Sequence, residues 1–545
     1  MNARPWLGRS LRFGLMPFAL YLVCFAIVTF PMIGRFSSEY FCDGGDGAQM
    51  LWDVWWVREA LLVRHQLPWH TDLLYHPIGA SLWLHSLTPF NGLLAIPLSC
   101  ALTDVQTYNV LVLLAFVGSA TTAFWLAHAV TRAYVPSLIA GYVFAFCSYR
   151  FAHASGHLTT ISTELVPLFL MLWLRFLSRP KPWLAIVSAF TLFAILLCDH
   201  YLFLFSAVAA AIAFTFAWSG FAKWKEKGNA IPLAAFAVTG LALIGPLVVA
   251  MLYAAYRDAP LYGAHASWKY SADLLSPFVP ARTWIYRTLT RPLWLPIGNY
   301  EETSVYVGLA PLAAAVVGAM RGRRVGVASI QVWLTIGLVF LVMSFGPRLT
   351  VRGEAVFEWM PYRLLEIVVP PLRLSGCPAR MMIMTQLAVA VLAATGLKWA
   401  SSRLKTRAAV AATGSLFVAV MIVESMPAVL PTFRPDVPAW VTALRDAPDP
   451  EAAVFDSIEA GHGRGMYYQT IHRRPMAGGV VARVNEKVYW DAVARFEAVG
   501  VGQIDERLPK EFGYLVVGAS QSPLPFEVYY ADRAAVIYRL DHPRP

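Results

Sequence analysis

The stretch CDGGDGAQMLWDVWW (Cys42 to Trp56) sets three aspartates and three tryptophans around a glycine-rich turn. It follows an apolar run, Gly14 to Gly34. At about 1.5 Å per residue that run covers roughly 30 Å, one hydrocarbon core. The chain therefore leaves a bilayer and soon presents Asp43 and Asp46, with an aromatic helix behind them. Asp46 precedes Gln49 by three residues and opens an apolar-rich helical stretch. That is a capping-box pattern with Asp46 as N-cap. A cap accounts for Asp46 without chemistry, but not for Asp43 or the glycines. Nor does it exclude catalysis, because a carboxylate at a helix N-terminus is ionised, fixed and aimed. Trp52, Trp55 and Trp56 favour the headgroup level, so this loop is expected along the membrane surface. Asp53 reads as a solvated or paired acid.

Composition agrees. Of 545 residues 58% are apolar and 14% charged, against about 45–50% and about 25% in soluble domains. The fold class is a polytopic α-helical membrane protein. The net charge of +11 lies in short clusters between apolar runs, where topology rather than nucleic acid is the cause. Arg4, Arg9 and Arg12 precede the first run, which puts the N-terminus in the cytoplasm. That run is longer than a signal h-region and lacks a cleavage site.

Further spans are expected at 107–130, 134–149, 162–178, 183–198, 200–219, 230–253, 303–320, 327–345, 381–397 and 408–430, about eleven in all. Arg132 and the basic segments 178–183, 221–229, 321–324 and 398–407 then share the cytoplasmic side. PFNGLLAIPLSCALT (89–103) is too short to span and reads as an interfacial or re-entrant helix. Within a membrane domain 1–430, the outer side receives loops 35–106, 150–160, 254–302 and 346–380. Loops this long are usually functional. A proline-rich linker (431–438) leads to residues 439–545, a small α/β extracytoplasmic domain. Its expected strands are 453–458, 514–518, 526–530 and 535–540, and its expected helix is 485–500.

Six cysteines show no metal-like spacing and predict no disulfide framework. No Walker A, GxGxxG or HExxH occurs, against a P-loop ATPase, a dinucleotide enzyme or a zinc protease of that type.

Candidate polar residues fall in the outer loops. Asp72, His76, His85 and Asn91 make a polar ledge. Arg150, His153 and His157 share loop 150–160, with Glu164 just inside the next span. His153 and His157 are four apart, one helical face, and suit hydrogen bonds to sugar or phosphate better than zinc. Asp199, His200 and Tyr201 break two apolar runs, where an acid and a His are costly unless paired or functional. Arg373 and Arg380 lie on the side where basic residues are scarce. Arginine's planar fork suits phosphate, and a helix start near Pro378 adds backbone N–H groups. A salt bridge is the plainer role for either. Arg282, Arg287, Arg291, Glu301 and Glu302 are weaker candidates.

These features in this order resemble the GT-C superfamily of integral-membrane glycosyltransferases, near the lipid A aminoarabinose transferase and protein O-mannosyltransferase group. The resemblance rests on the acidic DGGDG loop, the helices near 47–63 and 89–103, GYVFAFCSYRFAHASGHL, and the late arginines. It covers residues 1–430. It implies a bacterial inner-membrane, multi-pass enzyme with a periplasmic C-terminal domain. Such an enzyme moves a sugar from a polyprenyl-phosphate carrier to a glycan, lipid or protein acceptor, with inversion. It implies Asp46, or second Asp43, as general base, Arg373 and Arg380 for phosphate, and His157 lining the pocket. The family's loop usually has two adjacent acids. Here two glycines separate them, which leaves a divalent cation (Mg or Mn) open. A lipid-linked glycan flippase or a non-catalytic assembly protein are the alternatives. Transporters favour repeated halves and mid-membrane polar residues, and neither shows here.

Overall fold

The apolar runs fold as helices that run back and forth. The computed structural model describes residues 8, 10–218, 228–368, 372, 376–459, 461–521 and 523–543. Arg4, Arg9, residues 221–227 of one basic connection, and Arg373 lie outside the described residues. Among the described residues, eight helices are long and apolar enough to cross a membrane: Leu11–Val28, Asp104–Thr131, Tyr134–His153, Leu158–Ser178, His200–Ala217, Ala230–Arg257, Pro378–Ser401 and Arg407–Ser425. This is a multi-pass membrane protein. The other three expected spans are shorter helices, Pro182–Cys198, Leu309–Arg321 and Ile330–Ser344. At about 1.5 Å per residue these reach only roughly 20–26 Å.

Pro378–Ser401 is the central helix, with 89% of its apolar window buried, whereas the apolar window of Ala230–Arg257 is 0% buried and that helix lies at the periphery. Its neighbour Leu309–Arg321 comes very close. A side-chain carbon at Gly318 would fall 2.0 Å from the Leu392 carbonyl, and one at Gly396 would fall 1.9 Å from that of Ala314. Small residues permit such approach, which matters where lipid offers no apolar driving force. Short connections turn the chain at one end, and longer loops join most helices at the other. Arg132 and segments 178–183, 321–324 and 398–407 fall at one set of helix ends. Residues 35–103, His153 to His157, Asp199, Glu302 and Pro378 fall at the other.

Residues 439–543 form a four-stranded sheet with helices. β1 (Val454–Asp456) runs parallel to β2 (Tyr514–Gly518). β4 (Ala535–Pro543) lies antiparallel between β2 and β3 (Phe526–Ala531). Period-two alternation buries both faces of β2. Leu515 and Val517 join Phe455, Val499 and Phe512, while Tyr514 and Val516 join Val441 and Leu444. This segment also packs on the first loop. Tyr40 and Phe433 exchange backbone bonds of 2.8 and 2.9 Å, and Leu261–Tyr262 pairs with Val484–Asn485.

The tryptophans differ from expectation. Trp52 and Trp56 are fully buried, stacked 5.6 Å apart, among Leu73, Leu74, Met466 and Met476. They face protein, not headgroups. A buried indole N–H needs a partner, and Trp52 donates to Gln469 at 2.7 Å.

The helix Gly463–His472 seats against the acidic turn. A methyl at Gly463 would lie 2.0 Å from the Gly45 carbonyl oxygen. We expect Gly463→Ala to cost about 1–3 kcal/mol by overpacking. A lower thermal midpoint in detergent and faster proteolysis within 439–543 would show it. An unchanged midpoint would mean that this helix does not seat on Gly45.

Candidate active site

Asp43, not Asp46, caps the helix Asp46–Leu62. The N-cap residue is Gly45. Asp43 Oδ1 accepts the N–H groups of Gly45 and Gly47, each at 2.9 Å. The two glycines let the chain curl so that Asp43 reaches these donors first. The expected capping box does not form. Gln49 instead donates to Ser86 at 3.3 Å and lies 3.3 Å from His85 Nε2. Asp46, first in the helix, makes no capping bond.

Loop 150–160 closes over this turn. The Asp43 N–H donates to the Ser155 carbonyl at 2.6 Å. Gly156 fits because it has no side chain: a methyl would lie 2.9 Å from Asp46 Cβ and 3.3 Å from Asp43 Oδ2. His157 comes next, and its Nε2 lies 3.5 Å from Asp46 Oδ2. His153, fully buried, brings its Nδ1 to 3.4 Å from His157 Nδ1. Its Nε2 lies 3.6 Å from Glu302 Oε2. Glu302 in turn accepts from Arg380 Nη2 at 2.6 Å and Nε at 2.9 Å. Five side chains from four segments thus form one polar row.

The Asp46 side chain is 59% exposed. It opens to solvent on one side and is flanked by protein on the others. Its pKa is raised, first by that flanking desolvation, then by the charge of Asp43, with Arg380 opposing. His157 is pushed down to about 3 by burial, then by Arg380 and His153, which keeps it neutral. Glu301 is raised by burial and by the charges of Asp46 and Asp43.

Arg380 sits over the Tyr201 ring at 5.4 Å. A second cation, Arg483, comes from the C-terminal segment. Burial and the charges of Arg483 and Arg380 together push His265 down to about 4. His265 Nε2 is 4.0 Å from Cys377 Sγ, three residues before Arg380.

Other expected site residues have structural partners. The ledge does not exist as one surface. Asp72 pairs with Arg64 at 3.3 Å. His76 donates to the Glu511 carbonyl at 3.1 Å, against the C-terminal segment. His85 and Asp53 form a fully buried pair at 2.9 Å. Asn91 donates to Thr88 and Ser162 at 2.8 and 2.9 Å. Arg150 is buried in a span and donates to Ser119, Thr163 and the Ala115 carbonyl. Asp199 caps the helix that begins at His200, accepting the Leu202 N–H at 2.9 Å. It thereby places Tyr201 under Arg380.

Arg483 and His265 were not legible as site residues, and Glu302 ranked low. Glu302's adjacency to Glu301, just before an apolar run, was the one available signal. Among the described residues no three His, Cys, Asp or Glu side chains converge as a metal-holding group.

This multi-pass membrane protein has the GT-C fold, as its likeness to a solved structure shows. The arabinofuranosyltransferase AftD from Mycobacteria is similar over 100% of this chain and 42% of its own, at 15% identity and a TM-score of 0.57. This chain thus spans less than half of AftD. Weaker likenesses are the oligosaccharyltransferase AglB from Archaeoglobus fulgidus, with 12% identity, coverage of 92% and 69%, and a TM-score of 0.46, and ArnT from Cupriavidus metallidurans, with 10% identity, coverage of 96% and 97%, and a TM-score of 0.40. The AglB structure holds an inhibitory peptide and a dolichol-phosphate, and the ArnT structure undecaprenyl phosphate. The chain belongs to the DUF6311 family, described as a domain of unknown function, whose model matches residues 18–422. No curated protein matches it by sequence.

The two acids are expected to separate in stability. Asp43→Ala removes the cap and should cost about 0.5–2 kcal/mol, while Asp43→Asn should cost little. Asp46→Asn should leave the thermal midpoint unchanged. A larger loss for Asp46→Ala than for Asp43→Ala would restore Asp46 as the cap.

Proposed function

We propose that this protein is a membrane glycosyltransferase. It moves a sugar from a polyprenyl-phosphate carrier to a hydroxyl of a glycan, lipid or protein acceptor, with inversion. The observation that carries this reading is Asp46. It begins a helix it does not cap, is 59% exposed, and lies in one row with His157 and Arg380. The GT-C fold supports the reading as analogy only.

The basic helix ends oppose the site, which by the positive-inside rule puts the site on the non-cytoplasmic face. In a bacterium that is the periplasmic side of the inner membrane. A lipid donor reaches such a site sideways along the bilayer, and no nucleotide is needed there. Asp46 takes the acceptor proton. The acceptor oxygen attacks the anomeric carbon opposite the phosphate, whose bond breaks, and polyprenyl phosphate leaves. Cations placed where charge develops favour that step. Arg380 and Arg483 meet this need. Asp43, occupied by two backbone N–H groups, holds the turn.

The test is to incubate purified protein with polyprenyl-phosphate sugars and measure release of polyprenyl phosphate. No release with any donor would sink the reading. Asp46→Asn should remain folded and lose about 10²–10⁴-fold in turnover, the worth of a positioned base. If Asp46→Asn stays active and Asp43→Asn does not, the base is Asp43. The base works deprotonated, and the Asp46 pKa is raised. Turnover should therefore fall on the acid side at a pH above the ordinary aspartate range. A rate flat down to that range would exclude Asp46 as base.

A further inference from the structure

The row from Asp46 to Arg380 joins atom to atom, and each histidine uses both ring nitrogens. Asp46 Oδ2 faces His157 Nε2 at 3.5 Å. His157 Nδ1 faces His153 Nδ1 at 3.4 Å. His153 Nε2 faces Glu302 Oε2 at 3.6 Å. Both Arg380 bonds fall on the other oxygen, Glu302 Oε1. His153 Nε2 and Glu302 Oε2 are buried and, among the described residues, have no hydrogen bond. The two atoms face each other at 3.6 Å. A buried carboxylate oxygen with no donor is costly, so a fold that keeps one facing an imidazole has a use for the pair. These separations exceed a tight hydrogen bond, as catalytic contacts often do before substrate binds.

We propose that His157, His153 and Glu302 form a proton-transfer chain that carries the acceptor's proton from Asp46 to Glu302, and so unmasks Arg380 for the departing phosphate. The proposal rests on Asp46 being the base. Before reaction His157 holds its proton on Nδ1 and His153 on Nε2. The acceptor hydroxyl gives its proton to Asp46, and Asp46 passes it to His157 Nε2. The His157 Nδ1 proton moves to His153 Nδ1, and the His153 Nε2 proton moves to Glu302 Oε2. Both rings end neutral with their tautomers reversed. The acceptor's O–H electron pair forms the new glycosidic bond, and the broken C–O pair leaves on the phosphate. Asp46 is again an anion, Glu302 is neutral, and the negative charge lost at Glu302 has appeared on the phosphate. Arg380, neutralised at rest by Glu302, then faces that phosphate with its charge free. Return of the proton along the chain to Asp46, and from there to water, resets the site. The low His157 pKa suits this role, since a ring that stored the proton as a resident cation would stop the transfer.

Three variants test the proton-transfer chain, with undecaprenyl phosphate as the binding probe. His157→Ala should stay folded, lose turnover about 10²–10⁴-fold with KM unchanged, and regain part of it with added imidazole. Glu302→Gln should bind undecaprenyl phosphate several-fold tighter than wild type and turn over slowly. If Glu302→Gln does not fold, the His157→Ala rescue decides alone. Asp46→Asn should lose turnover with undecaprenyl phosphate affinity unchanged. If Asp46→Asn is inactive while His157→Ala turns over as wild type, the proton-transfer chain is wrong and the base stands. It is equally wrong if imidazole fails to rescue His157→Ala, or if a folded Glu302→Gln binds the lipid phosphate no tighter. If Asp46→Asn is fully active, the base fails and the proton-transfer chain with it.

Discussion

One carboxylate organises the first loop. Asp43 Oδ1 gathers the N–H groups of Gly45 and Gly47, while its own N–H is tied to Ser155. The turn so fixed is the seat for three distant pieces. Gly156 lies on its acidic side, Gly463 lies on the Gly45 carbonyl, and Phe433 lies by Gly44. A side-chain carbon at Gly463 or Gly156 would collide with its neighbour, and one at Gly44 would press on the Phe433 ring. The axis of the Asp46–Leu62 helix, and so the position of Asp46, follows from that packing. The separation of the acids by two glycines is what allows it. Adjacent acids could not both reach back to cap and project forward from the helix.

Behind the turn, charge is arranged economically. Glu302 and Arg380 are paired in a buried setting, where removing one partner is far costlier than the pair is worth. Arg380 belongs to the central helix Pro378–Ser401, and Glu302 to the loop ahead of Leu309–Arg321. The pair therefore ties the most buried span to the loop that covers it. The same pair fixes where a guanidinium points at the membrane surface. Stability and electrostatic preorganisation use the same two side chains.

Much of this was legible in the sequence, for physical reasons that also mark the limits. Long apolar runs report spans directly, and strands such as Tyr514–Gly518 declare themselves as short, β-branched apolar runs. The capping box misled because Asp46 and Gln49 match a local pattern, whereas Asp43 competes for the same donors through a turn no pattern encodes. The tryptophans misled because an indole suited to a headgroup is equally suited to a protein cover. That cover, Gln469, lies more than four hundred positions along the chain. Glu302 ranked low because its value depends on His153 and Arg380, which only tertiary packing brings to it. Asp199 interrupts apolar sequence, and its carboxylate caps the helix that begins at His200.

The C-terminal segment is therefore part of the site's construction rather than an appendage. Gln469 satisfies the buried Trp52, the Ala482 N–H donates to His85 Nδ1 at 3.0 Å, and Arg483 acts on His265 from the following position. Those contacts follow one another along residues 469–485, which the Val484–Asn485 pairing with Leu261–Tyr262 holds in place. On the proposed reading a membrane-embedded donor enters from the side, and the wall above the bilayer then has to come from elsewhere in the chain. On that reading residues 463–485 supply the wall, and with it Arg483, whose charge reaches His265 together with that of Arg380. The acceptor would then meet a surface built jointly by the first loop and this segment, which is where differences in acceptor among proteins of this fold would have to be written.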